Sequence, residues 1–109
     1  MNFGLEENEI EKIRAVFKKY STVDKVTLYG SRAIGKNKPG SDIDLTLTGK
    51  LDLKELTNIT SDLDELVLPF RFDVNLYHQI KNLDLLDHIN RVGVTLYDKS
   101  DTQFEHIKS

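Results

Sequence analysis

Residues 26–48 run Val26-Thr27-Leu28-Tyr29-Gly30-Ser31-Arg32-Ala33-Ile34-Gly35-Lys36-Asn37-Lys38-Pro39-Gly40-Ser41-Asp42-Ile43-Asp44-Leu45-Thr46-Leu47-Thr48. The first four residues are β-branched or aromatic apart from Leu28 and stop at a glycine, which is how a short strand entering a turn looks. From Asp42 the pattern alternates strictly. Ile43, Leu45 and Leu47 fall on one side, Asp42, Asp44, Thr46 and Thr48 on the other, so this segment is a strand with one apolar and one polar face. Between the two strands, Gly35, Pro39 and Gly40 limit Arg32 to Gly40 to a turn or very short helix followed by a loop.

The flanking sequence supplies cover for the apolar faces. Leu5, Ile10, Ile13, Val16, Phe17 and Tyr20 recur at helical spacing and predict an amphipathic helix from about Glu6 to Tyr20. Leu53, Leu56, Ile59, Leu63 and Leu66 predict a second helix, stopped by Pro69. Phe70 to Tyr77 alternates again, with Arg71, Asp73, Asn75 and Tyr77 on its polar side. Leu83 to Val92 is a third helix and Val94 to Tyr97 a last short strand. The order helix, strand, strand, helix, strand, helix, strand gives an α/β (α+β) class. We expect a mixed sheet with helices on one face and an open face where the aspartates point.

At 109 residues we expect one domain spanning 1–109, with a C-terminal tail from about 99–109 that is flexible. A hydrophobic fraction of 39% and a charged fraction of 30% describe an ordinary globular chain. The net charge of −3 argues against non-specific binding to nucleic acid, which needs an excess of Lys and Arg. An acidic protein can still reach an anionic ligand through cations. The absence of cysteine removes disulfides, thiolate nucleophiles and Cys-type zinc sites. Met1 to Glu11 contains no apolar run, so no signal or membrane helix is expected there and a cytoplasmic location is the default.

Three elements carry chemistry. Gly30-Ser31 directly after a strand allows close backbone approach to an anion and offers N–H groups and a hydroxyl, although alone the pair fits an ordinary turn. Asp42 and Asp44, two apart on a strand, share a face with Cα atoms about 6.6 Å apart. A solvated strand face would account for them too, but like charges there repel unless a cation neutralises them. Asp73, on the polar face of a later strand, would complete a cluster of carboxylates if that strand is a neighbour; alone it could equally pair with Arg71 or a lysine. Oxygen-only clusters favour Mg²⁺ or Mn²⁺ over zinc. Two ions about 3.5–4 Å apart could then clamp a triphosphate. Asp73 is the candidate general base.

At these residues the chain resembles a known family. Gly30-Ser31-Arg32-Ala33, Gly35 and Ser41-Asp42-Ile43-Asp44-Leu45, with Asp73 as a later carboxylate, resemble the signature of the polymerase-β nucleotidyltransferase superfamily. The small size resembles its minimal nucleotidyltransferases, which act with a separate all-helical partner. The resemblance implies a polymerase-β-like fold, Mg²⁺-dependent use of ATP or another nucleoside triphosphate, and release of pyrophosphate. It places metal ligation and catalysis on Asp42, Asp44 and Asp73 and phosphate contacts on Gly30 and Ser31; Arg32 and Ser41 are added as further nucleotide contacts, with solvent exposure for Arg32 and a turn hydrogen bond for Ser41 as the other readings. It further implies a four-helix HEPN-type partner, with this chain as the antitoxin of a toxin–antitoxin pair or as its catalytic subunit. The leading expectation is transfer of a nucleoside monophosphate, AMP from ATP first, to a hydroxyl, with an RNA end still open as acceptor. The alternative is a nucleotide-binding regulatory subunit without turnover.

Two other patterns fail. Gly30-x-x-x-x-Gly35-Lys36 approaches a P-loop, but Asn37 replaces the required Ser or Thr and Pro39-Gly40 breaks the following segment. A calcium loop opening at Asp42 would place Leu47 where Gly and Leu53 where Glu is needed. His78, His88 and His106 show no ligand spacing and are expected on the surface or in helix packing.

Overall fold

A computed structural model of the chain describes residues 3–101. The elements are α1 (Glu7–Lys18), β1 (Val23–Tyr29), β2 (Ile43–Gly49), α2 (Leu53–Asp64), β3 (Phe72–Leu76), a 3₁₀ turn (Tyr77–Gln79), α3 (Leu83–Val92) and β4 (Val94–Asp98). They form a four-stranded sheet in the order β3-β2-β1-β4. β1 lies antiparallel to β2 and β4, whereas β2 and β3 run parallel. The parallel pair follows from α2, which carries the chain back across the sheet between β2 and β3.

Each helix begins where its sequence provides an acceptor for free N–H groups. The Glu9 carboxylate takes the Glu6 N–H at 2.8 Å, Asp52 takes that of Glu55 at 2.9 Å, and Asn82 takes that of Leu85 at 3.1 Å. α2 stops at Asp64, short of the expected Leu66. Its exit passes through Val67, which has a φ of 54° and is 89% exposed. β1 starts at Val23, earlier than expected from Val26, because a bulge between Val23 and Lys25 lets Val23 pair with Gly49 across the polar Asp24-Lys25 interruption.

Ile13, Val16 and Phe17 of α1 and Ile59 and Leu63 of α2 are buried against Val26, Leu28, Ile43, Leu45 and Leu47. Phe17 stacks on Tyr97 of β4 at 6.2 Å between ring centroids. The apolar strand faces and the two amphipathic helices therefore form one core, as the alternation required. α3 does something the sequence did not indicate: it lies on the other face of the sheet. Its Ile89 is buried outside that core, beside Thr27, Thr48 and Thr95 of the polar face. Gly93 at its end sits so close to Thr27 that a Cβ there would collide with the threonine methyl. α3 covers the β1 side of this face and leaves the β2–β3 side open.

The expected flexible tail, 99–109, lies outside the described residues from 102 onward, as does His106; residues 99–101 are helical. Among the described residues no helix is long and apolar enough to cross a membrane.

Candidate active site

Strand register places the carboxylates. In the β2–β3 ladder Asp44 is the direct partner of Asp73, with Thr46 opposite Asn75 one step further on. Residues opposite each other in a ladder share a face. Asp44 and Asp73 therefore lie side by side, and Asp42 stands two residues before Asp44 at the entrance to β2. Asp44 is half-buried, while Asp42 and Asp73 are exposed. Burial pushes the Asp44 carboxyl above its ordinary range, and the neighbouring Asp73 and Asp42 raise it further against the opposing pull of Arg32 and His88. Among the described residues no ion pair involves any of these aspartates, so the Arg71 pairing open to Asp73 is not formed.

Gly30 closes the site from the β1 side. Tyr29, the last residue of β1, is the ladder partner of Asp44, and the chain turns sharply at Gly30 with φ +78°. Only glycine fits here, because a Cβ would run into Asp44 Oδ2 and the backbone lies in the left-handed region. The turn is held by Ala33 N–H donating to Gly30 O at 3.2 Å and Lys36 N–H to Ser31 O at 2.9 Å. Among the described residues, the N–H groups of Ser31 and Arg32 have no partner, so two adjacent donors at the head of this turn are free.

Two of the residues expected as nucleotide contacts, Arg32 and Ser41, have their side chains engaged by the protein itself. Arg32 is only 1% exposed. Its Nε donates to Ser41 O and Asp42 O, both at 3.2 Å. One terminal nitrogen donates to Phe3 O at 3.0 Å and Gly4 O at 3.3 Å, and the other to Ser41 O at 2.6 Å. Its guanidinium also lies 4.7 Å from the centre of the Phe70 ring. Burial pushes this guanidinium below its usual pKa, while Glu9, Asp44 and Asp42 pull it back up. The side chain is a buried clip joining the N-terminal segment to the entrance of β2. Ser41 likewise serves the turn: its Oγ takes the Lys38 N–H at 2.8 Å, and its own N–H goes to Lys38 O at 3.0 Å.

Below the carboxylates lies a buried polar layer. Asn75 Nδ2 donates to the Tyr29 hydroxyl at 2.7 Å, and Tyr29 is 7% exposed. Burial raises the Tyr29 pKa and the nearby Asp73 and Asp44 add to this, against the Asn75 hydrogen bond. Thr46 Oγ1 and Asn75 Oδ1 are buried without a protein partner among the described residues.

One residue of the site was missed from the sequence. His88, on α3, meets Tyr29 edge-on at 6.3 Å, and its Nε2 accepts the Gly30 N–H at 3.1 Å. No local signal could have found it, since the partner lies 58 residues away.

The donor set fits a hard divalent cation: three carboxylates close together, no cation paired to them among the described residues, and the Asp44 carboxylate destabilised by burial and by its neighbours. Among the described residues no three acidic or histidine side chains already form an ion cage, so such a cation would need further oxygens from a ligand.

Solved structures share this architecture. The chain superposes with a TM-score of 0.65 on a chain of a toxin–antitoxin crystal structure with AMP-PNP, at 20% identity over 95% of this chain and 83% of that one. A Shewanella oneidensis structure of a tri-AMPylated HEPN toxin in complex with MNT antitoxin matches with a TM-score of 0.65, at 14% identity over 95% of this chain and 90% of that one. The toxin–antitoxin MntA–HepT matches with a TM-score of 0.64, at 14% identity over 94% and 90% of the two chains. No curated protein matches the chain in sequence. The family model "Polymerase beta, Nucleotidyltransferase" matches residues 11–102, from within α1 to just past β4. With its strands, glycine turn and carboxylates all inside that match, the chain belongs to the polymerase-β nucleotidyltransferase family.

Proposed function

We propose that this chain, 1–109, is one nucleotidyltransferase domain. It transfers a nucleoside monophosphate, AMP from ATP first, to a hydroxyl on a helical HEPN-type partner and releases pyrophosphate. The observation that carries the reading is the pairing of Asp44 with Asp73 across β2 and β3, next to a glycine turn with free N–H donors, in a member of this family. Toxin–antitoxin structures that contain a chain of this fold, one of them with an AMPylated HEPN toxin, support the choice of partner.

In this reading the triphosphate lies against the turn. The N–H groups of Ser31 and Arg32 and the Ser31 hydroxyl hold its oxygens, and Gly30 keeps the backbone close enough to Asp44 for one ligand to touch both. Asp42, Asp44 and Asp73 would hold the divalent cation that accompanies the triphosphate. Mg²⁺ at these carboxylates, as two ions with Mn²⁺ as a substitute, would supply charge neutralisation for the triphosphate and polarisation of the reacting oxygens. The acceptor oxygen bonds to the α-phosphorus, the bond to the bridging oxygen of the pyrophosphate breaks, and the hydroxyl proton passes to Asp73. The half-buried Asp44 fixes the position of this charge because its β-ladder neighbours cannot move independently.

The test is label transfer. The purified chain is incubated with Mg²⁺, each α-labelled nucleoside triphosphate in turn, and the purified helical partner, beside the Asp42→Asn/Asp44→Asn variant. Label appearing on the partner with wild type only is expected. Nucleotide binding without transfer would move the assignment to a regulatory subunit, and no binding would overturn it.

A further inference from the structure

The use of the Gly30 amide is unexpected for a phosphate-holding turn. Gly30 directly follows β1, its φ of +78° sets the direction of the turn, and Asp44 Oδ2 occupies the space that a Cβ at this position would need. Its N–H does not face the open side. It donates to His88 Nε2 at 3.1 Å, across 58 residues of sequence. The imidazole is half-buried and braced edge-on against Tyr29, whose hydroxyl is held by Asn75, the residue two beyond Asp73 on β3. One continuous set of contacts thus runs from α3 through His88 to Gly30, and through Tyr29 and Asn75 to the strand bearing Asp73.

We propose that His88 is a positioning residue for the transfer reaction: by accepting the Gly30 N–H it fixes the glycine turn against Asp44, so that Ser31 and the carboxylates keep a constant spacing. The proposal rests on the nucleotidyltransferase reading of the site. It follows from this geometry that Gly30 contributes conformation rather than its own N–H to phosphate binding, and the donors left for phosphate begin at Ser31. Freed from His88, the turn would still bind a triphosphate but would align it less often with the carboxylates. A misplacement of about 1 Å can cost about 100-fold in rate, so a partly loosened turn should show mainly in kcat.

Two substitutions separate the hydrogen bond from the ring. His88→Phe keeps an aromatic ring against Tyr29 and loses the acceptor. His88→Gln loses the ring and keeps an acceptor oxygen of similar reach. With the full chain, its helical partner, ATP and Mg²⁺, His88→Phe should lower kcat by about tenfold or more, with KM for ATP changed less than about threefold. His88→Gln should recover most of that loss. Amide exchange of Gly30 in the free protein, read by NMR, should quicken by about tenfold in His88→Phe and stay near wild type in His88→Gln. Wild-type kcat and Gly30 exchange in His88→Phe would overturn the proposal. Equal impairment of both variants would also overturn it, because the ring packing would then be what matters. If wild type transfers no nucleotide to any acceptor, the functional reading fails with the role assigned to His88 in it, while Gly30 exchange still reports whether the hydrogen bond exists.

Discussion

Replacing Arg32 by methionine keeps most of the volume of the side-chain stem and removes the guanidinium. Four carbonyls then lose the hydrogen bond from this guanidinium: those of Phe3, Gly4, Ser41 and Asp42. A hydrogen bond from a charged group contributes about 1.5–3 kcal/mol net. The plain sum over four carbonyls overstates the loss, because Ser41 and its neighbours lie near the surface and their carbonyls can regain water. The stacking on Phe70 also goes, at about 0.5–1 kcal/mol or more. We expect a net destabilisation of about 3–5 kcal/mol, at the diagnostic end of the range for single substitutions. For a domain of this size that lowers the melting temperature by about 15–30 °C. Urea unfolding followed by circular dichroism measures the loss, and nucleotide affinity is measured at low temperature where the variant remains folded. Exposed Lys36→Ala serves as the control and should leave stability unchanged. A loss below about 1 kcal/mol together with a tenfold or greater loss of ATP affinity would refute the clip and return Arg32 to the phosphate.

Three further outcomes follow from the same geometry. Asp44 has its folded-state pKa raised by burial and by Asp73 and Asp42, so its ionised form opposes folding, and its contribution to stability, full below the unfolded pKa, is lost as pH rises through the folded one. Asp44→Asn should therefore be more stable than wild type at neutral pH without Mg²⁺; thermal melts should show the gain vanish as pH falls below the ordinary carboxylate range and shrink when Mg²⁺ is added. Gly30→Ala places a side chain in the left-handed region and against Asp44 Oδ2, so it should cost about 1–2 kcal/mol in stability from the backbone alone and lower transfer by more than tenfold, read by chemical denaturation and by label transfer. Val67→Gly removes a β-branched residue from φ 54° at an 89% exposed position and should raise stability by about 1 kcal/mol in the same denaturation assay.

What could be read from the sequence was whatever local periodicity encodes. The alternation through Ile43, Leu45 and Leu47 forced Asp44 and Thr46 to the opposite face, and the same argument put Asp73 and Asn75 together; parallel register then made partners of the two pairs. The core followed from the same rule, because the apolar faces of α1 and α2 had only these strands to cover. Position on the other face was less legible. α3 has the same kind of amphipathic pattern as α1 and α2, and nothing local indicates that Ile89 will be buried beside Thr27 and Thr95. The partners of Arg32 were not legible for a related reason: a cation beside a glycine turn suggests an anion, yet the carbonyls that hold it come from Phe3, Gly4 and the far end of the loop. Bonds such as Gly30 to His88 are set by tertiary packing and leave no trace in spacing. The shared face of Asp44 and Asp73 was legible because strands impose a period; the contacts of Arg32 and His88 beside it were not, because they bring together a loop, the N-terminal segment and a helix distant in sequence.

The most direct test of the account is intact-mass analysis of the purified helical partner after incubation with this chain, ATP and Mg²⁺, run beside Asp73→Asn. The account expects the partner to gain whole adenylyl increments on hydroxyl-bearing side chains with wild type, and expects that gain to fall by at least about 100-fold when Asp73 can no longer accept the proton. A partner whose mass stays unchanged with wild type, in a mixture where the chain binds ATP, or an Asp73→Asn variant that adenylylates at the wild-type rate, would contradict it.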